Sequence, residues 1–148
     1  MISVERSGDG LSRLLQAVEV LGKKSAKVGV PSDTNAPVES INLATLAMIL
    51  ERGTADGHIP ARPFLTQTLA ENAEKYTALF AKQFESGASA EQALNVVALV
   101  ACADVQQNIV DGDWVANAAA TIKRKGSSKP LIDKGTLRQS IRGVVTDD

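Results

Sequence analysis

The side chains that could support catalysis or bind a metal are few and lie far apart in this chain. His58 is the only histidine and Cys102 the only cysteine. A lone histidine lacks the further nitrogen or sulfur ligands that a zinc site requires. Cys102 stands in the apolar run 98–103, where burial would raise the pKa of its thiol and disfavour the reactive thiolate. We therefore expect no catalytic residue and no metal ligand.

Acidic and glycine-rich segments do not supply a cofactor site either. Asp111 and Asp113 flank a glycine but lack the ligand ladder and final Glu of a calcium-binding EF-hand loop. Residues 8–10 (Gly-Asp-Gly) lack the third glycine of a dinucleotide fingerprint, and no GxxxxGK[ST] loop occurs. The sequence predicts a protein that is not an enzyme and has no cofactor.

Length and composition indicate one soluble globular domain. The chain has 148 residues, of which 44% are hydrophobic and 22% charged, and a net charge of −1. This balance provides no general attraction to nucleic acid or to an anionic membrane. The N-terminus lacks the apolar core of a signal peptide, and no run approaches the roughly 18 apolar residues that span a bilayer. We expect a single domain over 1–148, made in the cytoplasm, with no membrane partner.

Periodicity and turn signals predict several helices and a few short strands. In the first helix, apolar residues recur at three- and four-residue spacing, which gives one apolar face formed by Leu11, Leu14, Leu15, Val18 and Leu21. Turn-forming residues predict mobile loops near 32–37, 53–58 and 125–130. The predicted helices cover about 10–21, 40–53, 64–84, 89–109 and 133–140, and the predicted strands cover 2–5, 26–30 and 141–145.

The fourth predicted helix is apolar on nearly all sides between Leu94 and Val105. Ser89 and Gln92 form the capping-box pattern that marks its start. A helix without a polar face has to be covered on several sides. We expect it either at the centre of the core or partly in an interface with another copy.

Two prolines stiffen the segment 58–65 that precedes the third predicted helix. Pro60 and Pro63 hold φ at about −65° and push each preceding residue toward extended geometry. The segment should therefore fix where the helix begins and which way it points. One interpretation is that it does nothing more. We also hypothesise that Arg62 pairs with a carboxylate, within or across subunits.

The C-terminal region is strongly basic, with one acid, Asp133, between residues 123 and 142. Such an edge can contact phosphates, remain solvated or meet an acidic protein surface. No aromatic residue follows Trp114, so the stacking groups typical of nucleic-acid sites are missing from this region. The possible basic contact surface comprises Lys123, Arg124, Lys125, Lys129, Arg138 and Arg142.

Two stretches resemble a family of bacteriophage virion morphogenesis and tail-completion proteins, which join head and tail. Residues 51–54 (Glu-Arg-Gly-Thr) and 59–65 (Ile-Pro-Ala-Arg-Pro-Phe-Leu) are similar to the family's E-aromatic-G-T and I-P-A-R-P-F-L signature. Residues 125–141 are similar to its C-terminal K-G … K-P-L-I-D-T-G-x-L-x-x-S-I motif. Arg52 and Lys134 depart from the pattern, where the family usually has an aromatic residue and Thr. The matched motif or interface residues are Glu51, Gly53, Thr54, Ile59, Pro60, Arg62, Pro63, Phe64, Leu65, Lys125, Gly126, Pro130, Leu131, Asp133, Gly135, Leu137 and Ser140.

This resemblance implies an α+β fold, a small antiparallel sheet packed by several helices. It also implies a structural protein of the virion tail or neck that forms a ring, of six copies on a six-fold tail tube. Its expected partners are itself, the tail tube protein and the head connector, with nucleic acid only as DNA passing through the lumen. Two alternatives remain: a minor tail or assembly component elsewhere in the virion, and a nucleic-acid-binding module that uses the basic C-terminal segment.

Overall fold

The chain folds as an α+β domain in which several helices pack with a small antiparallel sheet, as the resemblance implied. The computed structural model describes residues 8–31, 42–112, 114 and 135–148. The predicted strand 2–5 lies outside these ranges, as do the predicted loops 32–37 and 125–130. In chain order the described elements are α1 (Gly8–Leu21), β1 (Lys24–Gly29), α2 (Leu43–Arg52), α3 (Thr66–Glu71), α4 (Ala73–Glu85), α5 (Ala90–Asp111), α6 (Thr136–Ser140) and β2 (Arg142–Asp147).

Helix α5 is the element around which the others pack. It contacts α1, α3, α4, α6 and both strands, which confirms that it is covered on several sides. Its predicted capping box is present: the Gln92 N–H donates to Ser89 Oγ (3.2 Å) and the Ser89 N–H donates to Gln92 Oε1 (2.9 Å). By length and composition alone α5 is also apolar enough to cross a membrane, a test that core helices of soluble proteins pass too.

The sheet consists of β1 and β2 paired antiparallel, from Lys24 opposite Asp147 to Gly29 opposite Arg142. One face of it lies against α5 at very short range. A Cβ atom at Gly143 would lie 2.2 Å from the Ala98 carbonyl oxygen, so only glycine allows β2 to approach the helix this closely. The predicted strands 26–30 and 141–145 are therefore confirmed, with shifted ends.

The prediction of one continuous helix over 64–84 is wrong, because the chain forms two helices with a break at Asn72. Phe64 and Leu65 form a turn before α3. Asn72 has φ −107° and ψ 10°, outside helical geometry. Its side-chain amide donates to the Thr68 carbonyl oxygen (2.8 Å), so it competes with the backbone for a helical acceptor.

The hydrophobic core brings together residues that are far apart in the chain. Its fully buried members come from α2, the turn before α3, α5, α6 and the residue before β2. Half-buried Val28, Leu50 and Leu69 pack around them. The buried cluster comprises Leu43, Ala47, Phe64, Val105, Ile109, Leu137 and Ile141.

Candidate functional site

Glu51, at the end of α2, caps the start of α3 from fourteen residues away in the chain. Its Oε2 accepts the Leu65 N–H (2.9 Å), and its Oε1 accepts the Thr66 N–H (3.0 Å) and the Thr66 hydroxyl. The first N–H groups of a helix have no intrahelical acceptor and carry partial positive charge, so a carboxylate stabilises them. Glu51 thus links two helices, a role for which the sequence contains no local signal.

The residues between Glu51 and the prolines close into a hydrogen-bonded loop. The Thr54 N–H donates to the Ile59 carbonyl (2.9 Å), and the Ile59 N–H donates to Thr54 Oγ1 (3.0 Å). Asp56 accepts hydrogen bonds from the Thr54 hydroxyl (2.6 Å) and the His58 N–H (3.0 Å). Mobility of this loop stays a prediction, but its polar groups are paired within the motif.

Gly53 sits where the two sides of this loop approach most closely. Its φ is +71°, and a Cβ there would lie 2.6 Å from the Ala61 nitrogen and 2.7 Å from the Ile59 carbonyl oxygen. A glycine is therefore required for both conformation and space.

The segment 59–65 is held against α2 and delivers a side chain to the core. The Arg62 N–H donates to the Leu50 carbonyl oxygen (2.8 Å). Phe64 is among the most buried side chains, at 1% exposure, and Arg62 is only 5% exposed. Burial lowers the pKa of Arg62, and this residue has a further interaction partner. The hypothesis that this partner is a carboxylate stays a prediction.

Only the last part of the second motif lies in the described residues. Leu137, Ser140 and Ile141 are buried, and the Ser140 hydroxyl donates to the Leu137 carbonyl (2.6 Å). Gly135 precedes α6 as its N-cap residue. The motif residues outside the described ranges are Lys125, Gly126, Pro130, Leu131 and Asp133.

The predicted basic surface is represented in the structure by Arg138 and Arg142, both exposed. The Arg142 guanidinium donates to the carbonyl oxygens of Gln139 and Ile141 at the end of α6, so part of its donor capacity is used within the chain. The Gln106 amide donates to the Arg138 carbonyl (3.0 Å) and joins α5 to this edge. Lys123, Arg124, Lys125 and Lys129 lie outside the described residues.

An open, acidic cleft of about 240 Å³ lies between the end of α3 and the C-terminal half of α5. Asp104 accepts from Lys75 Nζ (2.8 Å) and from the Tyr76 hydroxyl (2.9 Å). Burial and the hydrogen bond to Asp104 raise the pKa of Tyr76. This cleft was not predicted from the sequence, although Asp104, Gln107, Asn108 and Asp111 recur at the three- and four-residue spacing of one helix face. Its lining comprises Thr68, Glu71, Asn72, Asp104, Gln107, Asn108 and Asp111.

The two residues considered first for chemistry lie apart from this cleft. Burial raises the pKa of the Cys102 thiol, which donates to the Ile141 carbonyl oxygen (3.4 Å). His58 is exposed in the loop before Ile59. Among the described residues, no group of three or more His, Cys, Asp or Glu side chains could hold a metal ion.

The apolar face predicted for α1 is present, but it faces solvent. Leu11, Leu14, Leu15, Val18 and Leu21 are all exposed. Instead, α1 packs on the domain with the side that carries Ala17, which is buried. Arg13 anchors the helix, because its guanidinium donates to the carbonyl oxygens of Phe84 (2.9 Å) and Ala88 (3.2 Å) and lies over the Phe84 ring.

Comparison of the chain with family models, curated proteins and solved structures finds no match.

Proposed function

We propose that this chain is a non-enzymatic bacteriophage structural protein. It forms a ring at the end of the tail and joins the tail tube to the head connector. The proposal starts from the resemblance of two separate stretches, 51–65 and 125–141, to motifs of tail-completion proteins. The α+β fold with a small antiparallel sheet agrees with the fold that this resemblance implies.

One observation carries the proposal furthest: the two stretches meet in the same hydrophobic core. Phe64 of the first motif and Leu137 and Ile141 of the second belong to one buried cluster. They pack there with Val105 and Ile109 of α5. Motifs of one family should lie in one folding unit, and here both stretches contribute buried side chains to the same core. Their convergence supports the interpretation that they mark one folding unit.

The hydrogen bonds of the first motif are made within the chain, so we assign it to setting the fold. The surfaces for neighbouring copies then lie elsewhere. A ring needs two different patches, because each copy contacts its neighbours head to tail. The acidic cleft beside Glu71 and Asp111 and the basic edge with Arg138 form an oppositely charged pair suited to such a contact.

The decisive test is the mass and form of the purified full-length protein. Light scattering over a concentration series, with negative-stain electron microscopy, should show annular particles of about 94 kDa, six copies of the 15.6 kDa chain. If the purified chain forms no annuli by itself, it should be mixed with tail tubes of the phage that encodes it. We then expect the chain to bind at the tube ends. A chain that forms no annulus and does not bind tube ends overturns the proposal.

The charge contact has its own matched test within this experiment. Glu71→Lys and Asp111→Lys should each weaken the ring, while Glu74→Lys, an exposed change outside the cleft, should not. Binding to duplex DNA that weakens steeply with rising salt, without annuli, would instead favour the nucleic-acid-binding alternative. Binding along the tube rather than at its end would favour the minor tail component.

A further inference from the structure

Helix α1 exposes a continuous stripe of large aliphatic side chains. The exposed fractions of Leu11, Leu14, Leu15, Val18 and Leu21 run from 64% at Leu11 to 46% at Leu21. Leu11, Leu14, Val18 and Leu21 are spaced three, four and three residues apart, the spacing of a helix–helix seam. Isolated exposed leucines are common, but five in one stripe indicate a surface that is covered by something.

The described part of the domain leaves the stripe uncovered, because α1 is anchored to it by another side. Ala17 is buried, and Arg13 is bound to the Phe84 and Ala88 carbonyl oxygens. With that side held, the stripe points away from the core.

A membrane surface does not suit the stripe. Helices that lie on membranes have Lys and Arg on their polar face to meet anionic lipids. Between residues 10 and 21, α1 has one cation, Arg13, and that side chain is engaged with the domain. The acid Glu19 lies beside the stripe and is paired with Lys23 at 2.7 Å.

The amount of apolar surface suits a second copy of the chain. The five side chains expose on the order of 500 Å² together, within the range of the largest patches on monomers. If the same stripe on two copies is buried, the total reaches roughly 1,000 Å², the lower bound for a specific interface. The other exposed large apolar side chains among the described residues, Met48, Leu99 and Val144, lie on three separate elements and do not form an equivalent stripe.

We infer that α1 is a self-association site at which the Leu11–Leu21 stripes of two copies pack against each other. The contact is isologous, because each copy contributes the same patch, and it closes at two copies. It is separate from the head-to-tail contact of the proposed ring and does not rest on that function.

The test compares the full-length chain with two exposed charge substitutions. Sedimentation velocity over a concentration series should show a reversible dimer or, where rings of six also form, a species of twelve copies in which the α1 contact pairs two rings. Leu15→Glu should raise the dissociation constant of this contact at least about 100-fold, because the carboxylate loses water within the buried stripe, beside Leu11 and Val18. Leu99→Glu is the matched control: Leu99 is 65% exposed, as Leu15 is 61%, but it lies on α5. It should leave the mass unchanged, and circular dichroism should show both variants folded.

Cysteine cross-linking locates the contact. In a Cys102→Ala background, the double variant Leu14→Cys/Val18→Cys should form a covalent dimer on oxidation for either relative direction of the helices. Leu99→Cys in the same background should remain monomeric on a denaturing gel. A chain that stays monomeric at all concentrations, or a Leu15→Glu variant that behaves like Leu99→Glu, overturns the inference. A dimer that neither forms annuli nor binds tube ends would support the inference and overturn the ring. Annuli unaffected by Leu15→Glu would support the ring and overturn the inference.

Discussion

The loop 51–65 and helix α1 use their side chains in opposite ways. In the loop, Glu51, Thr54 and Asp56 satisfy backbone groups of the same segment, and Phe64 fills the core. In α1, most of the large apolar side chains face solvent, and a small residue, Ala17, makes the buried contact. Residues that resemble a family signature can therefore serve the fold, while a proposed surface for partners lies where the sequence shows ordinary amphipathic periodicity.

The largest expected difference between the two regions is the effect of removing an apolar side chain. Phe64→Ala should lower the free energy of unfolding by about 3–5 kcal/mol, because it leaves a cavity in the buried cluster. Leu15→Ala should change it by less than about 0.5 kcal/mol at concentrations where the chain is monomeric. Urea denaturation measures both values. Equal losses would contradict the assignment of Phe64 to the core and Leu15 to the surface.

A smaller effect is expected where the loop needs glycine. Gly53→Ala should lower the free energy of unfolding by about 3 kcal/mol. The new Cβ would lie 2.6 and 2.7 Å from backbone atoms, and φ at this position is +71°. The control is Gly57→Ala, where φ is +73° but no atom lies within 4 Å of the Cβ, and about 1 kcal/mol is expected. Thermal unfolding of the two variants separates the steric part from the conformational part. If Gly57→Ala costs as much, the close approach at Gly53 is not the cause.

Loss of the Glu51 cap should lower the free energy of unfolding by less than Gly53→Ala does. Glu51→Gln preserves the size of the side chain but removes the charge and one acceptor at the start of α3. The free energy of unfolding should therefore fall by about 1–2 kcal/mol. Glu74→Gln, also near a helix start but without a comparable set of hydrogen bonds among those described, should cost less than about 0.5 kcal/mol. Urea unfolding of both proteins checks the ranking, and amide exchange at Leu65 and Thr66 should quicken only in Glu51→Gln.

The smallest effect is expected at the exposed end of the sheet, where Lys24 Nζ lies 2.8 Å from Asp147 Oδ1. The hydrogen bond to Lys24 lowers the pKa of Asp147 below its usual value. The unfolded chain therefore binds a proton more readily at acid pH, and the stability from this pair falls as pH falls through the folded-state pKa. The difference in melting temperature between the wild type and Asp147→Asn should be small at pH 7 and shrink toward pH 3. A difference in melting temperature that grows on acidification would contradict a lowered pKa of Asp147 in the folded state.

Local signals in the sequence determined the start of α5, the two strands and the periodicity of α1. Capping by Ser89 and Gln92, the β-branched residues Ile141, Val144 and Val145 and the three–four spacing from Leu11 are all signals between residues within a few positions of each other. Such interactions can be recognised without knowledge of the rest of the fold. The same signals did not reveal the break at Asn72, where a side chain competes with the backbone within an otherwise helical pattern.

The tertiary structure alone decided which surfaces are inside and which are outside. Periodicity shows that α1 has an apolar stripe, but only the burial of Ala17 and the bonds from Arg13 to the Phe84 and Ala88 carbonyl oxygens turn that stripe to solvent. The cap that Glu51 makes on α3 and the meeting of Phe64 with Leu137 and Ile141 likewise join residues far apart in the chain. These contacts depend on how whole elements pack, since burial is a property of the assembled neighbours and not of the local sequence.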